Sequence, residues 1–152
     1  WNVSTGPRPS SGYGTRIGKP EFGPNTALKR LKIPLHMSWS LINKFKSLED
    51  FRDYLSLVAT SDKDVLVCYD WPTLFDPKLN DHWGHVCVLD KVDLTKDEMR
   101  IIDPSPISAK WVTVKIIDMY SAMQVHGEKN SGGFWQISAK IVDSSMPQQI
   151  HI

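Results

Sequence analysis

A change in hydrophobic periodicity at about residue 62 constrains this fold more than any other feature of the sequence. Before it, apolar residues recur three and four positions apart, which places them on one helix face: Leu48, Phe51, Tyr54 or Leu55, and Val58. Ser47 precedes them as a candidate N-cap, with Asp50 three residues further on as in a capping box. After the change, residues 65–69 form a continuous apolar run of strand length. The pattern predicts a helix over residues 47–60 followed by a central strand.

The second half of the chain has the pattern of an antiparallel hairpin. Strand-like segments over residues 85–92 and 99–102 are separated by a short turn, and a last strand is predicted over residues 134–142. Together with residues 65–69 they predict an antiparallel sheet, with the helix over residues 47–60 packed across one face. Helices first and mainly antiparallel strands afterwards indicate an α+β fold.

Three further segments complete the predicted secondary structure. A short helix over residues 27–32 begins after Asn25 or Thr26 as its cap, because both side chains can accept a hydrogen bond from a helix N-terminus. Residues 34–40 are expected to be extended. A second long helix is predicted over residues 114–124, although the Val-Thr-Val tripeptide at its start favours a strand.

The 152-residue chain is predicted to be a single domain. Residues 1–24 are rich in proline and glycine, which interrupt helices and strands, so we expect an irregular arm there. The core is expected over residues 25–142. Residues 143–152 are expected to form a loose tail.

The composition excludes several classes of protein and partner. Hydrophobic residues make up 41% and charged residues 23%, as in globular proteins rather than disordered or low-complexity chains. The 18 Lys and Arg residues nearly balance 17 Asp and Glu residues, which gives no reason to expect a nucleic-acid partner. No apolar run reaches the roughly 18–20 residues of a membrane span. Two cysteines cannot build a disulfide scaffold, and no pattern of a cofactor or structural zinc site is present.

One pair of residues has a spacing that suggests chemistry. His85 opens the first hairpin strand and Asp103 closes the second, so an antiparallel hairpin brings them together although they are 18 positions apart. A carboxylate beside an imidazole fixes its tautomer and stabilises the imidazolium that forms when the ring takes a proton. Gly84 removes a side chain where a substrate or nucleophile would approach. Alternatively, both residues are ordinary turn residues of a purely structural domain.

Other polar and aromatic residues near His85 give weaker indications. Asp81, His82 and His85 could suggest a metal site, but positions i and i+3 of a strand point to opposite faces, and no further ligand is required nearby. A structural loop is the better interpretation. Trp71 and Trp83 flank the same loop and are candidates for lining a cleft near His85.

The residues around this pair resemble a known family. The Gly84-His85-Val86-x-Val88 strand, the Ile102-Asp103-Pro104 closure and the Gly132-Gly133-Phe134-Trp135 start of the last strand are similar to the C-terminal half of the bacteriocin-leader-processing (double-glycine) peptidases. These enzymes belong to the papain-like cysteine peptidase superfamily. The resemblance covers roughly residues 25–140. It implies a papain-like fold, a peptide or protein substrate, His85 as general base and Asp103 as its orienting acid.

The family's nucleophile has no counterpart among these residues. The resemblance implies a Cys, preceded by a Gln, on a helix upstream of everything in this chain, yet no Cys or Gln occurs before Cys68. Either that helix lies before Trp1, or the domain is a degenerate relative that binds a peptide or a partner protein.

Neither cysteine of the chain is an attractive substitute for that nucleophile. Cys68 lies in an apolar run, where a buried and inert thiol is expected. Cys87 shares a strand face with His85, but the strand rise separates the two residues by about 6.6 Å. The chain as it stands is therefore predicted to have no thiol-peptidase activity, and its cysteines are predicted to react slowly with iodoacetamide.

Overall fold

A computed structural model of the chain describes residues 23–104 and 110–139. The predicted tail over residues 143–152 lies outside the described residues, as does the predicted arm apart from Gly23 and Pro24. The secondary structure runs in the order α1 (Pro24–Arg30), β1 (Leu35–Leu41), α2 (Leu48–Ala59), β2 (Asp64–Asp70), α3 (Trp71–Phe75), β3 (Gly84–Asp93), β4 (Glu98–Ile102), β5 (Trp111–Lys115), α4 (Ile116–His126) and β6 (Gly133–Ala139).

The strands form one six-stranded sheet in the order β1-β6-β2-β3-β4-β5, and every neighbouring pair is antiparallel. This confirms the predicted α+β class and the predicted hairpin of β3 and β4. No helix of the described segments is long and apolar enough to cross a membrane.

One face of the sheet carries the main hydrophobic core. Side chains of α2 and α4, among them Phe51 and Tyr120, pack there against Val67 of β2 and Phe134 of β6. The opposite face has a small cluster in which Cys68 packs with Met37 and Trp135. The core therefore holds the ends of β2, β3 and β4 in a fixed register.

Helix α2 forms as its capping signal predicts. The Ser47 hydroxyl accepts a hydrogen bond from the Asp50 backbone N–H at 3.1 Å. The Asp50 carboxylate in turn accepts one from the Lys46 backbone N–H at 3.0 Å. Two N–H groups at the helix start are thus satisfied, while Phe51, Leu55 and Val58 are buried.

Two predicted helix boundaries are wrong. Residues 112–114 belong to β5, where Val112 pairs with Ile101 and Val114 pairs with Met99, and α4 begins only at Ile116. Pairing with the exposed edge of β4 satisfies backbone groups that a longer α4 would have used, so the β-branched residues follow their intrinsic preference.

The first helix also begins earlier than predicted. It starts at Pro24 after Gly23. Proline is favoured at the first helical position because an N–H there would have no partner within the helix, so its absence costs nothing. Asn25 is not its cap. The Asn25 side chain instead donates to the Met37 carbonyl and accepts from the Met37 N–H, both at 2.8 Å, and so fastens α1 to β1.

Candidate active site

The candidate site lies where β2 ends and β3 begins. Tyr69 pairs with His85, and Asp70 pairs with Gly84. On the other side of β3, Val88 pairs with Ile102, so Asp103 follows directly at the same end of the sheet. Three adjacent strands therefore place the candidate residues at one end of the sheet.

His85 and Asp103 form the hydrogen bond that their positions in the hairpin predict. His85 Nε2 lies 2.9 Å from Asp103 Oδ1, and the two side chains are 26% and 11% exposed. The ring of Tyr69 contacts the imidazole edge to face, with centroids 6.0 Å apart. Because Asp103 takes Nε2, the ring nitrogen left for a reacting group is Nδ1. The catalytic roles of both residues stay predictions.

Backbone contacts also fix Asp103. Its N–H donates to the Lys110 carbonyl at 3.3 Å, beyond the end of β4. This hydrogen bond holds the Asp103 backbone in place and so restricts the geometry of the bond between its carboxylate and His85.

Cys87 is closer to this pair than the strand rise suggests. Cys87 Sγ, a ring nitrogen of His85 and a carboxylate oxygen of Asp103 all lie within 4.8 Å of one another. The estimate of about 6.6 Å concerned backbone spacing along β3, whereas side chains on one pleated face can lean together. The three residues form one polar cluster.

The Cys87 thiol of this cluster is not an activated nucleophile. The side chain is only 1% exposed, and Tyr69 Oη lies 3.3 Å from its sulfur. Burial raises the pKa of Cys87 to about 11, against a smaller opposing effect of the Tyr69 hydrogen bond. At neutral pH the group is a thiol rather than the reactive thiolate.

Cys68 is even less suited to nucleophilic attack. It is buried on the sheet face opposite the main core, and burial raises its pKa to about 12. Its expected character as a structural thiol agrees with this placement.

The space beside Gly84 has a different use from the predicted one. A Cβ atom at this position would collide with the ring of His126, at the end of α4. The small residue therefore makes room for an imidazole of the same chain, and the expectation of room for a substrate or nucleophile at that point is wrong. Burial lowers the pKa of His126, so its ring packs in the neutral form at neutral pH.

A second His–Asp pair lies next to the first. His82 Nδ1 is 3.1 Å from Asp70 Oδ2, which also accepts from the Thr73 backbone N–H at 3.0 Å and from its hydroxyl at 2.6 Å. Burial tends to raise the pKa of Asp70, but the hydrogen bonds from Thr73 and His82 outweigh it and lower the pKa. No local pattern in the sequence predicts this pair, because its members lie 12 positions apart.

The tryptophans that flank the loop before β3 stack on each other. The rings of Trp71 and Trp83 are 5.5 Å apart and nearly parallel. The backbone N–H of Trp71 also donates a hydrogen bond to the backbone carbonyl of Trp83 at 3.0 Å. These contacts join the two ends of the loop that contains His82 and precedes His85. The predicted cleft lining stays a prediction.

Neither a protein-family model nor a curated protein matches the chain.

Proposed function

We propose that this chain provides the histidine and acid of a cysteine-peptidase-like site of the papain-like type. In this proposal His85 is the general base, Asp103 orients it, and the substrate is a peptide or protein. The observation that supports it is the 2.9 Å contact between His85 Nε2 and Asp103 Oδ1 at an accessible end of the sheet. Both cysteines of the chain are buried, so in this proposal the nucleophilic thiol is supplied from outside the chain.

The hydrogen bond assigns a direction to proton transfer. Asp103 accepts from the Nε2–H of His85, which leaves the lone pair on Nδ1. Nδ1 takes the thiol proton, and Asp103 stabilises the imidazolium that results. The thiolate attacks the carbonyl carbon of the scissile bond, and His85 returns the proton to the leaving amine. Water then hydrolyses the acyl-enzyme, with His85 again as base.

The alternative is a degenerate domain that binds a peptide or partner protein without cleaving it. The character of the cysteines favours it, because burial raises the pKa values of both Cys68 and Cys87. On this alternative His85 and Asp103 are structural, and replacing them changes affinity only through local packing.

Hydrolysis by the intact protein that carries this chain separates the two functions. We expect cleavage within a panel of fluorogenic peptides, loss of that cleavage after iodoacetamide treatment, and a roughly 10²–10⁴-fold lower kcat for His85→Ala. His82→Ala is the matched control, since its ring is in the neighbouring pair, and its kcat should change by less than about threefold.

Two results would overturn the enzyme proposal. One is cleavage that persists in His85→Ala or after alkylation. The other is peptide binding without any turnover, which would support the degenerate domain instead.

A further inference from the structure

We propose that His85, Cys87 and Asp103 form a binding site for a thiophilic divalent cation, with Zn²⁺ as the best match. Their ligand atoms are a ring nitrogen, a sulfur and a carboxylate oxygen, all within 4.8 Å of one another. These are the three ligand types that zinc takes from proteins. Cys87 has no role in the proposed hydrolysis.

The distances suit a small tetrahedral ion. Zinc bonds of about 2.0–2.3 Å at tetrahedral angles place neighbouring ligand atoms about 3.3–3.7 Å apart. The largest separation among the three ligand atoms, at most 4.8 Å, therefore has to shorten by about 1 Å. The distance of 2.9 Å between His85 Nε2 and Asp103 Oδ1 has to lengthen slightly. Shifts of this size are within the reach of rotations about the side-chain bonds of His85 and Cys87 on β3 and of Asp103 directly after β4.

The charges of the site balance those of the ion. On binding, the Cys87 thiol loses its proton to solvent, and the neutral His85 ring shifts its proton to Nδ1 so that the Nε2 lone pair faces the metal. A thiolate and the Asp103 carboxylate then neutralise the double positive charge. A neutral assembly avoids the large cost of an unpaired charge in this half-buried place.

The surroundings provide both an entry and support for the sulfur. His85 is 26% exposed, so solvent reaches the cluster from the end of the sheet, while Cys87 closes it from the core side. Tyr69 Oη lies 3.3 Å from Cys87 Sγ and can donate to the metal-bound thiolate. Such outer contacts orient ligands and tune their affinity for the metal.

One consequence rests on the proposed function. A cation held by His85 and Asp103 occupies the groups that would relay the proton, so zinc would inhibit hydrolysis reversibly and a chelator would restore it. Binding itself requires no activity, so it can be tested on the chain alone.

The test is a Co²⁺ titration of the folded chain, followed by absorption spectroscopy. We expect a sulfur-to-cobalt charge-transfer band in the near ultraviolet, visible bands of tetrahedral Co²⁺, and loss of both when Zn²⁺ is added. Cys87→Ser should lose the charge-transfer band. Cys68→Ser, which changes the other buried thiol on the opposite face, should keep it.

Because Cys87 is in the core, a second variant guards against a folding defect. Asp103→Asn keeps the thiol and removes one ligand, and it should weaken Co²⁺ binding at least about tenfold. Absence of the charge-transfer band in the unaltered chain would overturn the inference, as would its survival in Cys87→Ser or an unchanged affinity in Asp103→Asn. None of these results bears on hydrolysis, so the two proposals fail separately.

Discussion

Two His–Asp pairs lie side by side at one end of the sheet, and they differ in almost every respect that matters for chemistry. In the first, Asp103 bonds Nε2 of a His85 ring that is 26% exposed and held on a strand. In the second, Asp70 bonds Nδ1 of a His82 ring that is 63% exposed and carried by a loop. Pairing alone therefore does not identify a catalytic histidine.

The other bonds of each acid explain the difference. Asp70 Oδ2 accepts hydrogen bonds from the backbone N–H and the hydroxyl of Thr73, and it also contacts His82. This carboxylate therefore serves mainly as the N-cap of α3. Asp103 instead directs its Oδ1 at a ring that the strand and Tyr69 already orient. These contacts favour a structural role for the Asp70 pair, and it is the Asp103 pair to which the proposed function gives the proton transfer.

Under the proposed function, the largest expected effect concerns turnover by the intact protein. Asp103→Ala should lower kcat by about 10²–10⁴-fold, because His85 loses both its orientation and the charge that stabilises the imidazolium. Asp103→Asn should recover part of that loss, since the amide oxygen still accepts from Nε2–H. Steady-state kinetics on both variants and on Asp70→Asn, whose kcat should stay within about threefold of that of the unaltered protein, test the proposed role. Equal losses in Asp103→Ala and Asp70→Asn would show that the two pairs do not differ in their importance for turnover.

Alkylation of the cysteines should show the next largest effect. With pKa values of about 11 and about 12, Cys87 and Cys68 carry far less thiolate at neutral pH than an exposed cysteine. We expect iodoacetamide to label the folded chain at least about 10²-fold more slowly than the urea-unfolded chain. Peptide mapping by mass spectrometry gives both rates. Rapid labelling of Cys87 that disappears in His85→Ala would make Cys87 the partner of the His85–Asp103 pair.

The structural role of the second pair predicts a loss of stability. Asp70→Ala removes the cap of α3 and leaves the Thr73 hydroxyl without its acceptor, at a cost of about 2 kcal/mol in the free energy of unfolding. His82→Ala should cost less than about 0.5 kcal/mol, because its ring is mostly in water. Urea unfolding measures both. An Asp70→Ala variant as stable as His82→Ala would show that the cap is unimportant.

The same carboxylate predicts a smaller, pH-dependent effect. The pKa of Asp70 is lower in the folded chain than its usual value of 3.8, so the unfolded chain binds the proton more readily. The contribution to stability is complete above that value and is lost as the pH falls through the folded pKa. The difference in unfolding free energy between the unaltered chain and Asp70→Asn should therefore shrink towards low pH. A difference that grows on acidification would contradict the direction of the shift.

Local signals predicted much of this fold correctly. The Ser47 cap with its helical stripe specifies α2, and the short turn after β3 specifies a hairpin whose register brings His85 to Asp103. The predicted start of α4 is wrong because Val112 and Val114 pair with β4 instead. This pairing is a tertiary effect that overrides the helical pattern.

The surroundings of the His85–Asp103 pair were less predictable because they also depend on tertiary contacts. The ring of His126 fills the space beside Gly84 only because α4 ends there, 42 positions later in the chain. Spacing along β3 could not show that Cys87 Sγ leans towards His85. Contacts between distant elements and the directions of side chains leave no local pattern in a sequence.

The tautomers of the His85 and His82 rings distinguish the two pairs without any assay of activity. Long-range ¹H–¹⁵N correlation spectra of the ¹⁵N-labelled chain, recorded at alkaline pH, identify the protonated nitrogen of each histidine. We expect His85 to carry its proton on Nε2, with a downfield Hε2 signal that disappears in Asp103→Ala, and His82 to carry its proton on Nδ1. A His85 ring protonated on Nδ1, or an Hε2 signal unchanged in Asp103→Ala, would contradict this expectation.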